Sequence, residues 1–73
     1  MNFVLRKYDT EWTIGSNEHG KPPCIVIRFN ISGPRIITRN YAGMHYSPKE
    51  VNQALAIANQ QIELIAITKR LMS

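Results

Sequence analysis

The sequence predicts an α+β domain: an antiparallel meander of three or four strands packed against one long C-terminal helix. Three observations lead there. Ser47-Pro48-Lys49-Glu50 is a complete helix start placed just ahead of a long apolar-periodic run. Cys24 to Ile31 alternates in the manner of a half-buried strand. Clusters of Gly, Pro, Asn and Ser cut the chain before the helix into short extended pieces. At 73 residues there is room for one small domain and one thin core, so residues 1–73 are read as a single unit.

Asn2 to Tyr8 has strand-like content, and Asp9-Thr10 can turn or bulge before Glu11-Trp12-Thr13-Ile14. Two short strands and one bent strand both fit this segment. Gly15 to Pro23 is dense in turn formers and reads as a loop, with Pro22 and Pro23 pushing the chain into an extended entry to the next strand. From Cys24 to Ile31, one face carries Ile25, Ile27, Phe29 and Ile31, and the other carries Cys24, Val26, Arg28 and Asn30. The bulky first set is assigned to the core. Ser32-Gly33-Pro34 supplies a tight connection, with Gly33 free to take positive φ, and Arg35 to Tyr41 follows as the partner strand. Its phase is decided by the cost of burying guanidiniums. Turning Ile36, Thr38 and Asn40 inward leaves Arg35, Ile37 and Arg39 outside, in company with Arg28.

Ala42 to His45 is a short connector. The helix runs from about Pro48 to Leu71, with Ser47 and Glu50 set for a reciprocal capping box and Tyr46 and Val51 for a hydrophobic staple. Val51, Ala54, Leu55, Ala58, Ile62, Ile65 and Ala66 fall within one band of about 120° that can cover the sheet. Ile57, Leu64 and Leu71 repeat every seven residues on another side, with Ile67 near them. That second stripe is either wrapped by the early strands or left open as an interface for a second copy or a protein partner.

Composition narrows the class. The net charge is +4, and between His19 and Lys49 there is no acidic residue, while Lys21, Arg28, Arg35, Arg39 and Lys49 fall in that span. An uncompensated basic stretch suits a polyanion; the plainer reading is solvated Lys and Arg on a small basic protein. The lone Cys24 forms no internal disulfide, and there is neither a leader-like apolar segment nor a run long enough to span a membrane. The expectation is a soluble cytoplasmic protein. His19, His45 and Cys24 make no zinc-like spacing and the carboxylates are dispersed, so no catalytic residue, metal or cofactor is expected and the chain reads as non-enzymatic.

The basic hairpin is the better candidate for function. A two-stranded ribbon fits the DNA major groove, and Arg suits bidentate contact with phosphate or guanine. Arg28, Asn30, Arg35 and Arg39, beside Ile37, are assigned to the binding surface, with Lys21 and Lys7 as phosphate contacts.

Gly20-Lys21, Ser32-Gly33, Gly43, Tyr46, Ser47 and the Glu50-Val51…Ala54…Ala58 run are similar to the pattern of the AP2/integrase-type DNA-binding domain over roughly residues 11–65. That family includes the arm-binding domains of phage integrases. The resemblance implies a three-stranded sheet laid in the major groove with a helix behind it, contacts on Arg28, Arg35 and Arg39, and an accessory role in a phage or other mobile element. The chain departs from the pattern at Pro22-Pro23, where the family has an aromatic, and in its extra first strand and longer helix.

Overall fold

A computed structural model describes residues 2–39 and 42–72. The elements are β1 (Phe3–Lys7), β2 (Glu11–Ser16), β3 (Ile25–Asn30), β4 (Gly33–Thr38), a single helical turn α1 (Ala42–His45) and the long α2 (Pro48–Met72). The strands form one antiparallel sheet in the order β1-β2-β3-β4, a plain meander, with α2 across one face. The choice left open at the N-terminus resolves to two strands: a turn at Asp9-Thr10 is closed by the Tyr8 amide donating to the Glu11 carbonyl at 2.9 Å.

The register fixes which side chains meet the helix. Leu5 pairs with Ile14, Ile14 with Ile25, Trp12 with Ile27, and Ile27 with Ile36, so these residues share the helix-facing side. Ile14, Cys24, Ile25, Ile27, Tyr46, Ala54 and Ala58 form the buried core, with Phe3, Trp12, Phe29, Val51, Leu55 and Ile62 packed around it. Only alanines stand at the centre of the helix contact, which lets the backbone of α2 come close to the sheet. Trp12 and Phe29 close the core at one end in an edge-to-face pair, centroids 4.9 Å apart.

Tyr46 closes the other end. Its hydroxyl donates to the Pro22 carbonyl at 2.7 Å and accepts from the Ser16 amide at 2.9 Å, tying the proline loop to the end of β2. Gly15 is required beside it, because a Cβ there would lie 2.8 Å from the Pro23 Cα. The capping box forms as expected: the Ser47 amide donates to Glu50 Oε1 at 2.8 Å and the Glu50 amide to Ser47 Oγ at 3.2 Å. The bond from the Ser47 amide is the main cause holding the Glu50 carboxyl below its ordinary 4.5.

Several expectations need correction. Ile31 is not in the core: it sits fully exposed at the β3–β4 turn. Asn30 Oδ1 accepts from the Ser32 amide at 2.9 Å, which starts the turn at Ile31-Ser32 and ends the inward alternation at Phe29. Cys24, expected on the outer face, is fully buried in the core just before β3, its thiol directed at the Ile14 carbonyl. Gly33 takes φ +112° and opens β4 instead of belonging to the connection; Pro34 is tolerated beside it because β4 is an edge strand. β4 ends at Thr38, although the Arg39 amide still donates to the Cys24 carbonyl at 3.0 Å; Asn40 and Tyr41 lie outside the described residues.

At 1.5 Å per residue α2 is about 37 Å long, against about 20 Å for a six-residue strand. The whole molecule measures 41 × 19 × 18 Å, so its length is essentially that of this helix. The sheet therefore covers little more than half of α2. No helix is long and apolar enough to cross a membrane among the described residues.

Candidate nucleic-acid interface

The face of the sheet turned away from α2 is built by the alternate residues of each strand. Glu11, Arg28 and Arg35 stand in one row across β2, β3 and β4; Arg6, Thr13, Val26 and Ile37 form the next row. Arg39 follows β4 in the same phase. Among the described residues, four arginines thus share this face with one carboxylate. Arg6, Arg28 and Arg35 are exposed, and Arg39 is half-buried.

Arg28 and Arg35 are direct cross-strand partners. Side chains so placed start from Cβ atoms about 5 Å apart, and like charges in this position oppose pairing. Glu11 relieves part of that on the far side of Arg28, at 3.7 Å from its guanidinium, an ion pair too long to be a hydrogen bond. The same Glu11 oxygen, Oε2, is withdrawn from solvent and makes no hydrogen bond, nor does the enclosed Nε of Arg39. One carboxylate cannot balance the face. Val26 is fully buried in the middle of it, flanked by Thr13 and Ile37 from the neighbouring strands, so the charged side chains ring a close-packed β-branched centre.

Three residues assigned from sequence to this surface stand elsewhere or are otherwise engaged. Lys7 lies on the helix side, because it pairs with Trp12 and its ammonium sits 4.5 Å from the Trp12 ring centroid. Lys21 belongs to the proline loop, where it meets Glu18 at 3.4 Å and overlies the Tyr46 ring. Asn30 is on the outer face at its end, with its Oδ1 engaged in the turn. Arg6, which sequence reasoning passed over, takes the place given to Lys7. The sequence leaves this choice open, because Phe3, Val4 and Leu5 are all apolar; the pairing of Leu5 with Ile14 sets the phase.

Lys7 instead lines a groove of about 350 Å³ with Trp12, Gln61, Leu64, Ile65, Thr68 and Lys69, between the β1–β2 end of the sheet and the second half of α2. Of the residues assigned to a partner interface, Ile57 is half-buried against the core, whereas Leu64, Ile67 and Leu71 are exposed. The early strands reach the helix here without wrapping it.

The remaining chemistry is sparse. Burial pushes the Cys24 thiol above its ordinary value, which leaves it a packing residue at neutral pH. No group of three or more His, Cys, Asp or Glu side chains that could hold a metal ion occurs among the described residues. Fold and surface together define an α+β domain with a basic, helix-free sheet face. No family model, curated protein or solved structure matches the chain.

Proposed function

We propose that this chain is a small non-enzymatic DNA-binding protein that lays the outer face of its sheet on the duplex. The observation that carries the reading is the Arg28–Arg35 register pair on a face where Arg6 and Arg39 also stand, with Glu11 as the one opposing carboxylate. An arrangement that opposes folding on its own becomes favourable when phosphates lie across it. The β3–β4 hairpin enters the major groove as a ribbon, its guanidiniums donating in pairs to phosphate or to guanine. α2 stands behind the sheet and stiffens it. β2, β3, β4 and α2 follow in the order of the integrase-type domain that the sequence resembles. The same resemblance is the ground for reading an accessory role in a phage or other mobile element.

Fluorescence-anisotropy titration against mixed-sequence duplexes, repeated across a salt series, tests the proposal. Binding through three or four arginines predicts a log–log salt slope of about −3 to −4. Arg28→Ala combined with Arg39→Ala should flatten the slope by about 2 and weaken binding at every salt concentration. Absence of binding at low salt, or binding unmoved by that double substitution, overturns it.

A further inference from the structure

Along its second half, α2 carries an apolar seam that the sheet leaves partly open, Leu64 also lining the groove beside Lys7 and Trp12. Leu64, Ile67 and Leu71 are 50%, 43% and 82% exposed. Their spacing of three and then four residues, extended back by seven from Leu64 to Ile57, is the repeat of a helix that pairs with another helix. At 100° per residue the seam lies about 125° around α2 from the Ala54–Ala58 stripe that meets the sheet. Its two flanks differ. Glu63 and Arg70 each precede a seam leucine by one residue and share one flank, whereas Gln61 and Thr68 on the other are uncharged.

We propose that the occupant of this seam is a second copy of the chain, with the two α2 helices antiparallel. Leu64 then packs against Ile67 of the second copy, and Leu71 reaches Gln60 at the seam's end. The charge pattern selects this direction. Antiparallel pairing sets Glu63 beside Arg70 of the second copy, twice by symmetry, whereas parallel pairing sets each charge beside a neutral flank. Arg70 already makes a contact within its own chain, and a guanidinium's five N–H donors accommodate a carboxylate as well. A seam this short is below the size of a permanent interface, so the pairing is a reversible one.

The two-fold axis of such a pair is perpendicular to both helices. Because seam and sheet lie about 125° apart around α2, the rotation turns both outer sheet faces to the same side, splayed by about 70°. The two arginine faces are then offset from one another both along and across the helix pair. A same-side pair of this kind is the arrangement by which dimeric readers engage two half-sites on one face of the duplex. This last step rests on the proposed DNA-binding function; the dimer does not.

Sedimentation of the full chain without DNA, from about 10 to 500 μM, tests the pairing. The expected result is a monomer–dimer equilibrium that Leu64→Glu and, separately, Leu71→Glu shift to monomer while helical circular dichroism is retained. Glu63→Arg should weaken it and the added Arg70→Glu restore it. A monomer throughout, or a dimer indifferent to both leucine substitutions, overturns the proposal. Anisotropy on duplexes of about 10 and 24 base pairs, below and above two half-sites, then separates the readings. Wild type should bind the longer duplex at least tenfold more tightly than Leu71→Glu and the shorter one equally. A dimer that shows no such difference refutes the same-side arrangement; a dimer that binds neither duplex refutes the DNA reading and leaves the pairing standing.

Discussion

Replacing Tyr46 by Phe should remove one oxygen and little else. The ring keeps its stacking on Phe3, with centroids 6.3 Å apart, and its place in the core. What is lost is a hydroxyl that accepts from the Ser16 amide and donates to the Pro22 carbonyl. Ser16 is buried, so its amide is left without a partner or access to water, at a cost of about 1–3 kcal/mol. The Pro22 carbonyl belongs to a half-buried residue and recovers part of its bond from water, adding about 0.5–1 kcal/mol. Together these span about 1.5–4 kcal/mol, and a central value near 2–3 kcal/mol is large for a chain whose whole stability should be about 4–11 kcal/mol. It corresponds to a fall of roughly 10–20 °C in Tm for a domain of this size. Thermal and urea unfolding followed by far-ultraviolet circular dichroism measures it. A loss below about 0.5 kcal/mol would refute the reasoning, because the loop would then be held by something other than this hydroxyl.

The other predictions follow from the same geometry. Gly15→Ala should destabilise by about 1–3 kcal/mol in urea unfolding, since its Cβ would meet the Pro23 backbone, which cannot yield as a flexible side chain would. Ser47→Ala should lower stability by about 1 kcal/mol in the same assay through loss of the helix cap. Glu50 has a lowered pKa in the folded chain, so its contribution is complete well above 4.5 and disappears as the pH falls through the folded-state value; the Glu50→Gln variant should show a flatter acid limb in a pH series of Tm. Arg35→Glu should leave stability unchanged or raise it by about 0.2–1 kcal/mol, by exchanging a like-charge cross-strand pair for an opposite one, while duplex affinity falls.

Local chemistry was legible in the chain and long-range chemistry was not. Ser47, Glu50 and the staple residues announce the helix start because every partner lies within a few positions. The outward phase of Arg35 and Arg39 followed from the cost of burying charge, and the register agrees. Alternation, however, does not say where a strand stops: Ile31 continues the inward pattern, yet the Asn30 side chain bends the chain before it. β1 shows the converse. Lys7 and Arg6 are equally basic, and only the pairing of Leu5 with Ile14 decides which of them reaches the arginine face. The double role of Tyr46 joins residues 24 and 30 positions away, a distance over which no periodicity operates.

The strand order has one further consequence. A meander leaves both borders of the sheet unpaired, and such borders invite other chains to zip onto them. Here one border carries Pro34 as its second residue, with no amide hydrogen to offer, and the other ends in the charged pair Arg6-Lys7. Lateral growth into ribbons or fibrils is thereby discouraged at each side.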